Sequence, residues 1–498
     1  MEPDVVDTCM LVTKLKGLGV PPLPVKLGDP TSFAGSPRDS TTATTDSPRP
    51  RVKGLLATST KTSGHTAPVM RLAVSIDQKF LVSGSHDGTC RVWEVPTQPE
   101  HMAGLLLSKA TYTGHNEEHP VKVNDVAMLE GTHSVVSGDN MGRVHVWRVD
   151  LQQATVPMPA AGRFDTNKPK ETTRIVGASS LYQSSTGEGE VLAVSHFNTS
   201  SSCVVTYATQ KGMVHSLDLR SSQEPFRLPH SPELGFLTSM ALGSDRHWIV
   251  TGTRQGYLAL WDIRYQQCVK LWRHSRETSI ARLATSMVSP PRTWGAQGSL
   301  ANARPYVFVA AGNNECAMFD VQTATCCECF RTIDGGGRLD HSNVEEPPSL
   351  NPVPIASKRK SDVLKPITIQ NNVRFLPTLG SLNCMVGSIG VGQNSYLVTG
   401  GSDARIRLWD FMTPSKCAIV SGQPTLQPRP SFERIDFEGR CRLLLCRESQ
   451  AYQQGQQQHF HGVVQKPDNS HTDSIQDIKV LDQSLVSCSR DCTVKVWR

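Results

Sequence analysis

Short segments in which apolar and polar residues alternate recur along the chain, and several end on a tryptophan. Ser83 to Trp93 reads SGSHDGTCRVW, Thr399 to Trp409 reads TGGSDARIRLW and Ser487 to Trp497 reads SCSRDCTVKVW. In each, an Asp (Asp87, Asp403, Asp491) stands six positions before the Trp, and a Ser or Thr (Ser83, Thr399, Ser487) stands four before the Asp. A period of two over five residues predicts a strand half-buried in a sheet, and the small or polar residues ahead of it predict a tight hairpin turn. The arrangement is a repeat, and repeats of this size imply a solenoid, a propeller or an array.

Four further copies lie between these. SGDNMGRVHVW ends at Trp147, with Met141 in place of the turn Asp. TYATQKGMVHSLDLR carries Leu217 where the Trp would stand, the next copy recovers Trp261-Asp262, and VFVAAGNNECAMFDV carries Phe319. Five positions before the Trp or its equivalent, five copies have Gly88, Gly142, Gly212, Gly256 or Asn314. These residue types accept the positive φ of a type I′ turn, whereas Ala404 and Cys492 at the same position imply a different turn or local strain. Preceded by Gly64-His65 and two strands, the copy ending at Trp93 resembles one complete WD repeat, the unit of a propeller blade. The expected fold is therefore all-β: a seven-bladed WD-repeat propeller occupying residues 51–498.

Composition adds detail at the ends and between the repeats. Residues 1–50 are dominated by Ser, Thr and Pro and predict a disordered leader. The spacing between repeats exceeds the roughly 40–45 residues of a plain blade. The excess is expected to leave the sheets as long loops, chiefly within 151–175, 286–304, 334–370 and the Gln-rich 422–470. The last repeat ends in the third strand of its blade, while residues 51–60 form a strand with no blade before it. Placing 51–60 as the outer strand of blade 7 closes the ring and covers an exposed edge.

The 38 Gly and 32 Pro suit a turn-rich protein, and a net charge of +6 is too mild for a dedicated nucleic-acid surface. The 14 cysteines are scattered without a disulfide pattern, which predicts a reducing, intracellular setting. Cys326, Cys327 and Cys329 lack a second pair at zinc-ligand spacing, so they read as packing residues and no metal site is expected. No apolar run approaches the roughly 20 residues of a membrane helix.

His65, Ser83 and Asp87 are a His, a Ser and an Asp within one repeat, the composition of a hydrolytic triad. With Trp93 they also form the hydrogen-bonded tetrad that ties a WD blade together. His471, Ser487, Asp491 and Trp497 repeat the set, which a unique active site would not do. Asp403 and Trp409 supply two of its members in the sixth repeat. The tetrads are therefore read as structural. Gly387 to Gln393 lacks the lysine of a phosphate loop, and Arg490-Asp491 lacks the downstream Asn of a kinase loop. The expectation is a non-enzyme with no cofactor. Lys358-Arg359-Lys360 reads as a solvated loop. Trp261-Asp262-Ile263-Arg264, echoed by Leu217-Asp218-Leu219-Arg220, matches the W-D-x-R pattern of cullin-ligase substrate receptors. Arg220 and Arg264 are accordingly candidate interaction residues for that alternative function.

Several stretches outside the common repeat carry a narrower resemblance: LDLRSS (Leu217–Ser222), LGFLTSMA (Leu234–Ala241), GNNECAMFD (Gly312–Asp320) and the terminal SRDCTVKVWR. In these, residues 51–498 resemble the C-terminal propeller of the regulatory scaffold subunits of class III phosphoinositide 3-kinase. The resemblance implies a non-catalytic scaffold, with the lipid-kinase catalytic subunit and its coiled-coil accessory subunits as partners. It also implies a cytoplasmic location, peripheral on endosomal or autophagic membranes through the complex, with roles in vacuolar sorting and autophagy. Family members carry a kinase-like domain and helical repeats ahead of the propeller, and the catalytic and lipid-anchor properties of those parts are not carried over.

Overall fold

The computed structural model describes residue 50 and residues 55–60, 64–95, 104–116, 121–153, 171–184, 187–288, 304–311, 314–334, 344–355, 382–388, 395–421, 430–437, 441–448, 470–481 and 484–498. The leader, most of 334–370 and the Gln-rich stretch lie outside these residues. The described residues form seven antiparallel blades of a β-propeller, each built around a meander of consecutive strands. Blade 1 runs through Val69–Val74, Phe80–Ser85, Cys90–Glu94 and Ser108–Tyr112, and blade 2 from Val123–Met128 to Glu171–Gln183. Blade 3 runs from Val191–Asn198 to Arg227–Pro229, blade 4 from Leu237–Leu242 to Gln267–His274, and blade 5 from Ile280–Val288 to Cys326–Asp334. Blade 6 runs from Leu382–Ser388 to Ala418–Ser421.

Blade 7 takes three strands from Ile475–Trp497 and its fourth, Leu55–Thr58, from the other end of the chain. Leu55 lies opposite Trp497 and Thr58 opposite Lys495. Ser59 continues the contact: its N–H donates to Val494 O at 2.9 Å and its Oγ accepts from Val494 N at 2.8 Å. The far side of this closing strand is used as well. Thr58 N donates to Gly104 O and Leu106 N donates to Thr58 O, so a loop of blade 1 latches onto the outer strand of blade 7.

Each of the seven seams between blades holds its own apolar layer. Leu56, Val69, Leu72, Trp93, Val486 and Val496 fill the seam between blades 7 and 1. Phe308, Phe330, Met385, Trp409 and Phe411 fill that between blades 5 and 6. Strands with a neighbouring blade on both faces have no solvent side, which corrects the half-buried reading of the alternation. The polar positions are buried too: Arg407 is 0 % exposed and Lys495 8 %. Burying such groups costs several kcal/mol unless each finds a partner, so the partners matter.

Two insertions expected as loops contribute strands. Leu350–Pro352 adds a fifth strand to blade 4 against Trp272–His274. Ser431–Phe437 and Cys441–Glu448 form a hairpin that follows blade 6 in the chain yet joins the outer edge of blade 5. Cys441–Glu448 runs parallel to Cys326–Asp334 from Glu328–Arg442 to Asp334–Glu448. The sequence of this hairpin alternates (SFERIDF, CRLLLCRE), but a Gln-rich flank obscured it.

The repeat turns also differ from expectation. Gly88 N donates to Ser85 O and Ser85 N to Thr89 O, and only the third loop residue has positive φ. That is a type I turn closed by a left-handed residue, rather than type I′. The left-handed residue recurs at this position in all seven repeats: φ is 78° at Gly88, 80° at Gly142, 104° at Gly212, 81° at Gly256, 54° at Asn314, 61° at Ala404 and 71° at Cys492. Ala404 and Cys492 thus keep the common turn and bear the strain. A left-handed non-glycine residue costs about 1–2 kcal/mol, offset in part by the extra freedom of Gly in the unfolded chain. Ala404→Gly is expected to raise the urea midpoint, by up to about 1 kcal/mol of stability. A lower midpoint would show that the Ala404 turn is unstrained.

Candidate functional site

The repeat turn and the strand that follows it place four polar side chains in one line through the blade. In blade 1, His65 Nδ1 lies 2.8 Å from Asp87 Oδ2 and Nε2 lies 2.7 Å from Ser83 Oγ, to which Trp93 Nε1–H donates at 2.7 Å. A carboxylate only accepts, so Nδ1 carries the imidazole proton and Nε2 accepts the Ser hydroxyl. In blade 7, His471 lies 2.9 Å from Asp491 and 2.8 Å from Ser487, and Trp497 Nε1–H donates to Ser487 at 2.8 Å. The Asp caps its own turn through the other oxygen: Thr89 N and Oγ1 donate to Asp87, and Thr493 N and Oγ1 to Asp491.

Blade 2 holds a third set that the repeat alignment missed. Met141 occupies the usual Asp position, but Asp139, two residues earlier, turns its carboxylate to His115 Nδ1 at 2.9 Å. His115 Nε2 lies 2.7 Å from Ser137, and Trp147 donates to Ser137 at 3.1 Å. The signal lay in SGD at Ser137–Asp139, once the Asp is sought along the hairpin rather than at one position.

These sets have the atom order of a hydrolytic triad, but the geometry makes them girders. His65, Ser83, Ser487, His115 and Ser137 are 0 % exposed, and each Ser Oγ is already engaged by a Trp N–H. No substrate carbonyl can reach a hydroxyl enclosed on all sides. Burial lowers the pKa of His65 and His471 despite their Asp partners, which keeps both neutral. Burial acts to raise Asp87 and Asp491, but hydrogen bonds from His, Thr and backbone outweigh it and hold both below the usual carboxylate range. Asp491→Ala orphans His471 Nδ1–H and the turn donors, and is expected to cost about 1–3 kcal/mol. An unchanged melting temperature would remove the tetrad from the account of blade 7.

The remaining blades depart from the set. In blade 6, Trp409 Nε1–H donates to Thr399 Oγ1 at 2.9 Å, but Asp403 pairs with Arg407 rather than a His. Arg407 in turn donates to Glu448 of the accessory hairpin at 2.7 Å, and Arg405 pairs with the same carboxylate. Burial opposes ionisation of Glu448, but the two guanidiniums prevail and its pKa falls below the carboxylate norm. Glu448→Ala would take the shared carboxylate from two buried guanidiniums, leaving Arg407 only Asp403, and is expected to cost about 3–5 kcal/mol. Protease sensitivity confined to 431–448 would report the released hairpin; unchanged urea unfolding would contradict the assignment. In blade 4, Trp261 donates to Thr251 at 3.1 Å.

A second polar set ties the blades at their innermost strands. Asp125 of blade 2 accepts Val194 N of blade 3 at 2.8 Å, and Asp477 of blade 7 accepts Leu72 N of blade 1 at 3.0 Å. Arg71 spans the seam, donating to Gln476 O at 3.1 Å and lying 3.5 Å from Asp125. Blades 7 and 1 are thus stitched at the inner strand as well as by the closing strand.

His115, Asp139 and His145 bring one potential metal-ligand atom each within 4.8 Å of one another. The donors of His115 and Asp139 are spoken for: both His115 nitrogens are bonded, and Arg143 Nε–H donates to Asp139 at 2.9 Å. His145 stacks on His115 and meets the Tyr112 hydroxyl at 2.8 Å. The group functions as a hydrogen-bonded extension of the blade 2 tetrad.

Arg264 and Arg220 lie just past the third strands of the adjacent blades 4 and 3. The Arg264 fork is occupied: Nε and Nη2 donate to Asp262 at 3.2 and 2.9 Å, and the guanidinium covers the exposed Tyr265 ring. Arg220 is exposed, its N–H donating to Asp218 at 3.1 Å. Lys358-Arg359-Lys360 lies outside the described residues. No helix among the described residues is long and apolar enough to cross a membrane.

The WD domain, G-beta repeat family matches residues 57–94, 380–410 and 464–498, the repeats with the best-preserved motifs. Among curated proteins, the probable serine/threonine-protein kinase vps15 of Dictyostelium discoideum is 33% identical over 203 residues, covering 40% of this chain and 9% of that protein. Serine/threonine-protein kinase VPS15 of Arabidopsis thaliana is 24% identical over 482 residues, covering 94% of this chain and 30% of that protein. Putative serine/threonine-protein kinase VPS15 of Komagataella pastoris is 24% identical over 358 residues, covering 70% and 23%. The chain thus spans less than a third of the length of these relatives. It is a WD-repeat β-propeller, similar over 94% of its length to part of the VPS15 serine/threonine-protein kinase of Arabidopsis thaliana.

Proposed function

We propose that this chain is a non-catalytic interaction scaffold, the propeller portion of a regulatory subunit in a class III phosphatidylinositol 3-kinase complex. The observation that carries the proposal is the similarity to the VPS15 protein of Arabidopsis thaliana across 94% of the chain. The architecture suits the role. The propeller presents rigid faces built from loops, and such faces bind other proteins. The triad-like side chains are enclosed and serve the blades. The relatives are named as kinases, yet what this chain shares with them is, in its described residues, propeller. The partners proposed are the lipid-kinase catalytic subunit and its coiled-coil accessory subunits. Through them the chain would act at endosomal or autophagic membranes, in sorting and autophagy.

Affinity purification of the tagged chain from cells, with its partners identified by mass spectrometry, tests this. Recovery of the lipid-kinase catalytic subunit and coiled-coil subunits is expected, unchanged in Arg220→Ala and Arg264→Ala. Recovery of a cullin adaptor, lost in those two variants, would replace the scaffold reading with that of a ubiquitin-ligase substrate receptor.

A further inference from the structure

Two thiols more than a hundred residues apart in sequence meet at the accessory hairpin. Cys326 opens the outer strand of blade 5 and Cys441 opens the hairpin strand that pairs with it in parallel. Their Sγ atoms are 3.4 Å apart, in a pocket shared with Cys329, Leu443, Ile435 and Phe437. The ladder sets Glu328 opposite Arg442, so Cys326 stands one residue along from the position facing Cys441. With strands about 4.8 Å apart and about 3.3 Å per residue, that diagonal is roughly 6 Å, inside the Cα separation of about 4.4–6.8 Å that a disulfide spans. Closing the gap to the roughly 2.05 Å of an S–S bond needs a side-chain movement of little more than about 1 Å.

We propose that Cys326 and Cys441 form a reversible disulfide that staples the accessory hairpin to blade 5, with hydrogen peroxide or an organic hydroperoxide as oxidant. One thiolate attacks a peroxide oxygen; the O–O bond breaks, water or an alcohol leaves, and a sulfenic acid remains. The second thiol attacks that sulfur, the S–O bond breaks, water leaves and the S–S bond forms. Two thiols lose two electrons and two protons in all, and one peroxide is reduced. The hydrogen bond with Cys441 and burial raise the Cys326 pKa, so the first step is slow and calls for sustained oxidant.

The staple would act at the end of the hairpin that lacks charge pairing to blade 6. The far end of Cys441–Glu448 is fixed by Glu448 to Arg405 and Arg407. Near Cys441, the charged contact is that of Arg442 with Glu328. In the reduced protein the hairpin can open from that end and uncover the edge of Cys326–Asp334, and an uncovered edge is a template for another strand. Oxidation would close that edge.

Peptide mapping of the full chain after peroxide treatment and alkylation, without reductant, tests the proposal. A linked pair of peptides containing Cys326 and Cys441, two hydrogens lighter and released by dithiothreitol, is expected. Amide hydrogen exchange across 431–448 should slow by about tenfold or more on oxidation. Cys326→Ser should abolish both effects, and Cys327→Ser should preserve them. Alkylation of both thiols after oxidation, a Cys326–Cys327 bond instead, or a link that leaves exchange unchanged would each overturn the proposal. The mapping uses the unmodified sequence, so a variant that fails to fold does not compromise it.

Discussion

Deletion of residues 1–60 is expected to open the ring, whereas deletion of residues 1–45 leaves it closed. The longer deletion removes the strand Leu55–Thr58 that completes blade 7. It exposes the edge of Val494–Trp497, whose side chains are 0–8 % exposed in the intact ring, and takes Leu56 and Ala57 out of the apolar layer between blades 7 and 1. The loop around Leu106 loses its partner Thr58 at the same time. At about 25 cal/mol per Å² of apolar surface, losing this strand and uncovering its neighbour costs on the order of 5 kcal/mol. That is comparable to the whole stability of many domains. Circular dichroism melting of the two truncations reads the difference. Equal melting temperatures would show that the inner stitching by Arg71 and Asp477 holds the seam without the closing strand.

Acidification from pH 7 to 5 is expected to destabilise the propeller by several kcal/mol through its buried histidines. Burial lowers the pKa of His145 to about 3 and of His196, His230 and His274 to about 4, and it lowers His65 and His471 as well. In two of these, protonation would also break a bond: Glu130 N donates to His196 Nδ1 at 3.0 Å and Arg276 N to His274 Nδ1 at 3.3 Å. A folded pKa below the unfolded value of about 6.5 means that the unfolded chain binds more protons beneath that pH, so stability falls as pH falls. A histidine shifted to about 4 contributes roughly 2 kcal/mol of this loss by pH 5. Asp87 and Asp491 act in the same direction in a lower window. Their folded pKa values lie below the unfolded value of about 3.9, so their contribution is complete above that pH and lost beneath it. Urea unfolding at pH 7, 6 and 5 measures the upper window, and a flat profile would contradict the neutral, enclosed histidines on which the blades depend.

The propeller could be read in the sequence because each blade repeats a local rule. The alternating third strand, the turn residue that takes positive φ and the terminal Trp are all set within eleven residues. The positions of Ser83, Asp87, Ser487 and Asp491 follow from that register. What could not be read depends on neighbours distant in the chain. The buried Arg407 looked like a solvent-facing position of an alternating strand, because its partner Glu448 lies 41 residues on, in a hairpin inserted after blade 6. Asp139 was passed over because the carboxylate can reach its His from two places in the hairpin. The parallel pairing of Cys441–Glu448 with blade 5 skips an entire blade, and no local periodicity encodes such a jump. Arg71, Asp125 and Asp477 are single charges whose role appears only when inner strands of neighbouring blades are set side by side.

The central claim is that this propeller works as a surface for lipid-kinase assembly. Its most direct test is the lipid-kinase activity retained on the immobilised chain. The chain would be captured from cells, washed and supplied with phosphatidylinositol and ATP. The expected result is phosphatidylinositol 3-phosphate formation by the captured assembly and none by the same chain purified from bacteria. A correctly folded chain that captures no such activity would contradict the claim.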